Sequence, residues 1–282
     1  MNVSVFDPRP CTLGEGPLWH PERNQLFWFD ILGNRLLSRL GDEALEWQFD
    51  EHVSAAGWVD RNTLLIASES QLFTFDLETE EQTYVAALES ENTVTRSNDG
   101  RADPMGGFWI GTMGKNAEKA AGAIYRYYRG ELRRLYANIT VANSICFAPG
   151  GRTAYWSDTE TGKIMRVALN EDGWPDAKAE IFVDLGEEGR LPDGSVTDCE
   201  GALWNAQWQS ARMVRYLPDG TQDRVIELPA YQTTCPAFGG DGLATLYCTS
   251  AAVDIESPDA EQGRTFEVAP GVAGLPEPQV IL

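Results

Sequence analysis

Histidine is nearly absent. His20 and His52 are the only two in 282 residues, too few to assemble a zinc site from imidazoles. Cysteine offers no substitute. The five (Cys11, Cys146, Cys199, Cys235, Cys248) are odd in number, far apart and without a CxxC pair. That excludes a disulfide framework or thiolate metal site and predicts reduced, mostly buried thiols in a cytoplasmic protein. No apolar run approaches about eighteen residues, so no membrane-spanning helix is expected. The start, MNVSVFDPRPC, has no basic stretch leading into an apolar one, so no signal peptide is read there. Bases are outnumbered, 22 against 43 acids, for a formal charge of −21. Such a surface repels a phosphate backbone, which excludes nucleic acid as a partner. The acids are spread along the chain, with no block that reads as a tail. A GxSxG elbow is missing and neither histidine follows the order of a serine triad, which removes serine hydrolase chemistry. No glycine-rich loop followed by Lys-Ser/Thr is present. Helical periodicity is lacking too: only NAEKAA (116–121) could turn helically, and it reads more simply as a loop between strands.

What remains is abundant short strand. Apolar residues make up 43% and aromatics 10%, ample for a buried core. They fall into copies of one pattern: a polar tip, a short strand, a Gly or Pro turn, an aromatic-rich strand, a second turn and an alternating strand. LGEGPLWHPERNQLFWFDILGNRLLSRL from Leu13, NSICFAPGGRTAYWSDTETGKIMRVAL from Asn143 and PDGSVTDCEGALWNAQWQSARMVRYLPDG from Pro192 are the clearest. NDGRADPMGGFWIGTM from Asn98 is a fourth, followed by AIYRYYRGELRRLY. SAAGWVDRNTLLIASESQLFTFDLET from Ser54 and TCPAFGGDGLATLYCTS from Thr234 are weaker copies. Starts lie roughly 40–50 residues apart, the period of a four-stranded propeller blade. Six copies predict an all-β, six-bladed β-propeller over 1–282, with four-stranded antiparallel blades around a central channel. An open sheet edge invites aggregation, so VSVF (3–6) is expected to close the ring beside the C-terminal TFEV and PQVIL runs. Trp28, Trp109, Trp156 and Trp204 recur on second strands and are expected to pack between blades.

The innermost strand of each blade lines the channel, so equivalent positions in distant repeats converge. The polar tips are Glu15 in GEGPLW, Asn98 in SNDG, Asn143 in ANSI and Asp193 in PDGS. Each is followed closely by Gly16, Gly100, Ser144 or Gly194, small enough to admit a neighbouring backbone. Taken singly, NDG and PDG are ordinary turn formers; LPDG (217–220), away from the tip position, is read as such a turn. Turn chemistry does not explain why four tips share one place in the repeat. Two facing carboxylates are costly inside a protein unless a proton or cation separates them. An all-oxygen set of carboxylates and carboxamides suits a hard divalent ion. SDTETG (157–162) is read as a turn rather than a second metal site, His20 as lining a strand end, and His52 as surface.

At these residues the chain resembles the senescence marker protein/regucalcin–gluconolactonase family of six-bladed propellers. The motifs are LGEGPLW (13–19), RSNDGRADPMGGFWIGTM (96–113), ANSICFAPGGRTAYWSDT (142–159), PDGSVTDCEGALWNAQW (192–208) and CPAFGG (235–240). They span nearly the whole length in the family's order. The resemblance implies that Glu15, Asn143 and Asp193 hold one divalent cation, Ca²⁺ first with Zn²⁺, Mn²⁺, Mg²⁺ and Fe²⁺ admitted. It implies that Asp193 is also the acid/base, and that Arg96 and Asn98 touch the substrate's hydroxyls. Some members carry a carboxylate about a turn after the GTM motif. Here Lys115 and Asn116 stand in that region, and Asn116, with Glu118 as the alternative, is expected to face substrate. The implied activity is hydrolysis of a sugar lactone such as glucono-, xylono- or arabinonolactone. The cation would polarise the lactone carbonyl, and Asp193 would move the proton of the attacking water. The expected partner is a small molecule only, with no membrane, on a monomer or weak homo-oligomer. A phosphotriesterase-like enzyme using a Glu/Asn/Asn/Asp set completed by Asn98, and a non-catalytic calcium-binding regulator, are the alternatives.

Overall fold

A chain with apolar side chains on both faces of its strands must bury both faces, and the stretch QLFWFD (25–30) shows how. In the computed structural model, which describes residues 2–282, Phe27 and Phe29 point into one hydrophobic wedge and Trp28 into the next. The same alternation puts Phe108 and Ile110 on one side of their strand and Trp109 on the other. Tyr155 likewise turns away from Ala154 and Trp156. The result is not one central core but six wedges, each between consecutive sheets.

There are six four-stranded antiparallel sheets, a six-bladed β-propeller. Strand makes up 56% of the chain and helix 3%, so connections are turns and loops and a βαβ order is excluded. The innermost strands of blades one to six are Gly14–His20, Val53–Trp58, Thr95–Ala102, Ala142–Phe147, Leu191–Thr197 and Gln232–Gly239. Trp28, Trp109, Trp156 and Trp204 occupy the second strands and pack between blades. Trp109 meets Phe147 of the following blade edge-on, with ring centroids 5.5 Å apart.

Blade six takes its fourth strand from the other end of the chain: Ser4–Asp7 pairs antiparallel with Thr265–Val268. The PQVIL run (278–282) departs from expectation. It adds no strand. Pro276 and Pro278 lack the N–H groups a ladder needs, and the segment crosses the floor of the channel instead. There Val280 N–H donates to Trp58 O at 2.9 Å and Ile281 N–H to Gly106 O at 2.8 Å.

All six innermost strands carry a register shift at the same point. A bulge re-aims side chains that alternation would send sideways into a wedge. The residues at these bulges are Glu15, Ser54, Asn98 with Asp99, Asn143, Asp193 and Thr234. The two weak sequence copies thus offer hydroxyls where the other four offer carboxyl or amide oxygens. LPDG lies away from this ring, in an outer turn where Thr221 N–H donates to Asp219.

Candidate active site

Glu15, Arg96, Asn98, Asn143 and Asp193 line one cavity of 490 Å³ at the mouth of the channel, yet each is at most 5% exposed. Asn116 and Lys115 line its rim, and Leu32, Met113, Leu191 and Trp208 give it an apolar wall. Six sequence-predicted site residues, spread from 15 to 193, therefore meet in one place.

The bulges create this meeting through close contacts. Gly16 has φ +54°, and a Cβ there would lie 2.2 Å from Ser54 O; only glycine lets blades one and two approach so closely beside Glu15. At Gly194 the neighbour is a side chain instead, with a Cβ falling 2.3 Å from Cys235 Sγ. Side chains then tie the inner strands around the ring. Ser54 Oγ donates to Ser97 Oγ (2.7 Å), Ser144 Oγ to Asp193 O (2.5 Å) and Thr234 Oγ1 to Gly14 O (2.6 Å). Asn205 adds its amide to Asp193 O at 3.0 Å.

The carboxyls of Glu15 and Asp193 line the same cavity, and each bears on the other. Both are fully buried, so one proton or one cation must lie between them. Burial, reinforced by the charge of Asp99, pushes Glu15 up to about 8. Burial and then the charges of Glu15 and Asp99 hold Asp193 well above the ordinary carboxylate range. Asn143 supplies the third oxygen. Its amide nitrogen donates to Thr159 Oγ1 at 2.9 Å, and Thr159 is itself fixed by donating to Pro192 O at 2.8 Å. That leaves the Asn143 oxygen facing Asn98, whose Nδ2 lies 3.2 Å away.

Asn98 is held differently. Its nitrogen donates to Ala142 O at 2.9 Å, and its oxygen accepts from Arg96 at 2.8 Å. Arg96 also donates to Ser97 O, while its buried Nε has no protein partner. Burial lowers the Arg96 guanidinium to about 10, against the pull of Glu15, Glu69 and Asp193. A buried cation with donor capacity to spare, on a cavity wall, is a place for an anionic or polyhydroxylated group.

At the rim, Asn116 is tied to Glu118 twice, by its N–H at 3.0 Å and its Nδ2 at 2.9 Å. Glu118 is spent on that contact, so Asn116 rather than Glu118 lines the cavity. Lys115 pairs with Glu69 of the neighbouring blade. SDTETG is a turn built on the short helix Thr159–Thr161, and its Thr159 is an orienting residue that the sequence did not single out. His52 differs from expectation: it is half-buried, with Nδ1 2.6 Å from Asn34 Oδ1, and burial, followed by the charge of Arg96, lowers it. His20 is buried at the far end of the strand that carries Glu15, bonded to Asp60 O at 3.0 Å. All five cysteines are free, with Cys199 exposed and the others buried.

The sequence reading also missed Asp99. Next to Asn98 in the same bulge, it points away from the cavity into the channel, where its Oδ2 accepts the N–H of Ile145 at 2.6 Å. Burial raises it to about 6. Four buried carboxyls (Glu15, Asp99, Asp193, Glu277) thus share the channel with two buried guanidiniums (Arg96, Arg101). One divalent cation would offset that excess of two negative charges. Among the described residues no group of three or more His, Cys, Asp or Glu side chains is placed to hold a metal; the set here is two carboxylates completed by the Asn143 carboxamide. That all-oxygen chemistry fits a hard divalent cation.

Residues 13–252 match the family described as the SMP-30/Gluconolactonase/LRE-like region. The chain is 35% identical to an L-arabinolactonase of Azospirillum brasilense over 94% of this chain and 90% of that protein. It is 31% identical to a 6-deoxy-6-sulfogluconolactonase of Pseudomonas putida, over 96% and 95%. Among solved structures, a calcium-binding protein, regucalcin, from Agrobacterium tumefaciens superposes with a TM-score of 0.96 at 40% identity, covering 99% and 97% of the two chains.

Proposed function

Since the chain belongs to the SMP-30/gluconolactonase/LRE-like family, we propose that it is a lactonase that opens a sugar lactone to the aldonic acid with the help of one divalent cation. The observation that carries this reading is that the buried carboxyls of Glu15 and Asp193 and the carboxamide of Asn143 line one cavity that also presents Arg96.

Glu15, Asn143 and Asp193 would hold the cation, Ca²⁺ first by donor chemistry. When bound, it supplies Lewis acidity to the lactone carbonyl and stabilises the charge gathering on that oxygen. Asp193 accepts a proton from the attacking water as the new C–O bond forms, and returns it to the ring oxygen as the ester bond breaks, leaving a free hydroxyl. Arg96, anchored by Ser97 O and Asn98, turns its remaining N–H groups to the ring hydroxyls and then to the product carboxylate. Asn116 meets the substrate at the rim, and the apolar wall excludes water from the less hydroxylated side.

The orientation of Asn98 favours this reading over a phosphotriesterase. Asn98 Oδ1 accepts from the positively charged Arg96, whereas Asn143 Oδ1 accepts only from a neutral amide, so a cation at Asn98 Oδ1 would also meet the guanidinium's charge. A purely calcium-binding regulator would leave the Arg96 donors without a purpose. The test is a panel of glucono-, xylono-, arabinono- and galactonolactones beside a phosphotriester, on chelator-treated protein with single cations restored. Turnover of at least one lactone that needs the added cation, with the phosphotriester untouched, is expected; phosphotriester turnover above that of every lactone would overturn the proposal.

Thr159 offers a sharper check on the donor set. Thr159→Val removes the acceptor that orients the Asn143 amide. Cation affinity is expected to fall roughly ten- to a hundredfold, as for other outer residues that orient a ligand. Calorimetric titration showing unchanged affinity would take Asn143 out of the set.

A further inference from the structure

The segment 269–281 is a strap across the face of the propeller opposite the cavity. Gly274 N–H donates to Leu243 O of blade six at 2.9 Å, and the Trp58 indole of blade two donates to Glu277 O at 2.9 Å. Ile281 is held by blade three. Pinned in this way, the strap sends the Glu277 side chain into the channel, where it pairs with Arg101; both side chains are more than nine-tenths buried. Arg101 follows Asp99 by two residues on the innermost strand of blade three. Asp99, buried on the same strand, is within charge reach of Arg101 and of the Glu15–Asp193 pair. From the cavity to the floor the order is thus the carboxyl pair, then Asp99, then Arg101, then Glu277, with Arg101 the one positive group between Asp99 and Glu277.

We propose that Glu277, delivered by the strap from the far face, sets through Arg101 and Asp99 how tightly the pore holds its divalent cation. This rests on the reading that the pore holds a cation at all. Water screens buried charges much less than charges at a surface. With Glu277 in place, the Arg101 charge is spent at the floor and the field of Asp99 reaches the cation site. Without it, the whole positive charge of Arg101 is turned on Asp99 and on the cation beyond. Glu277 touches neither the cation site nor the substrate cavity, so it is a positioning residue for charge, not a ligand.

The experiment titrates Ca²⁺ by calorimetry into the chelator-treated full-length chain, with melting temperature followed in parallel. Glu277→Gln is expected to weaken binding by about tenfold or more, since it removes one buried negative charge from the column. The double variant Arg101→Met with Glu277→Met removes a charge of each sign, and its affinity should return to within about threefold of the parent. It also keeps the test valid if the single variant folds poorly, because it removes both members of the buried Arg101–Glu277 pair together. Unchanged affinity in Glu277→Gln overturns the proposal, as does a double variant that binds as weakly as the single one, since the loss would then be structural. A parent chain that binds Ca²⁺ while Glu277→Gln matches it sinks this inference alone; a parent chain that binds no divalent cation sinks the cation reading with it.

Discussion

Asp193→Asn should lower kcat on a sugar lactone by about 10³-fold while raising the melting temperature of the chelator-treated protein. The two effects have one source. Asp193 is the proton acceptor of the proposed reaction, and loss of a positioned general base costs roughly 10²–10⁴ in rate; losing one of two charged ligands adds to that. In the cation-free pore the same carboxyl is a liability, buried against Glu15 and within the field of Asp99. A carboxamide of the same shape accepts no proton in turnover and carries no charge to repel. It can also donate an N–H to Glu15, replacing a contact that otherwise needs a shared proton. Most substitutions at buried polar sites destabilise, so a variant that is inactive and more heat-resistant in chelator is a specific signature. Near-normal turnover would remove Asp193 from catalysis. A lower melting temperature in chelator would show that like-charge repulsion is not what the pore contends with.

The second large effect concerns pH. In chelator, stability should fall as pH rises from about 4.5 to about 8, and saturating divalent cation should remove most of that slope. The Glu15 carboxyl is raised from 4.5 to about 8 in the folded chain, and Asp193 is raised with it. A raised carboxyl means the folded state keeps a proton that the unfolded chain releases. Stability from this source is greatest below 4.5 and is lost as pH climbs through the window to about 8, because there the unfolded state binds fewer protons. Raised by more than three pH units, Glu15 alone makes this an effect on the order of several kcal/mol. A bound cation takes the proton's place, stabilises the ionised pair and adds its binding free energy to folding. Thermal melts across pH 4.5–8, with chelator and with added Ca²⁺, provide the measurement. A chelated protein whose melting temperature is flat or rising over that window would contradict the contact between the two carboxyls.

Much of the fold could be read from the chain because its determinants are local. QLFWFD alternates large side chains over six residues, PGG and ERN turn the chain within three, and the pattern recurs six times. Period and repeat number are properties of neighbours in sequence, and they forced strands, blades and ring. The ring in turn made Glu15, Asn143 and Asp193 converge, since equivalent places in a closed repeat meet at the axis. His52 was misplaced for the complementary reason: a single polar residue between strands carries no local sign that a side chain 18 residues back, Asn34, will bond it.

Which way each side chain faces, and what holds it there, belongs to the tertiary structure. Asn98 and Asp99 are adjacent, yet a bulge sends one to the cavity and the other into the channel, a choice set by how blade three pairs with its own second strand and packs on blade four. Thr159 reaches Asn143 across 16 residues, and Glu277 reaches Arg101 across 176. Contacts of that kind leave no period and no motif, because their free energy arises only after the ring has closed and water has left the channel. The sequence by itself determined that oxygen-bearing tips would gather at one axis; only the folded ring decided which of them are free to hold a cation, which are already engaged, and which charges from the opposite face bear on them.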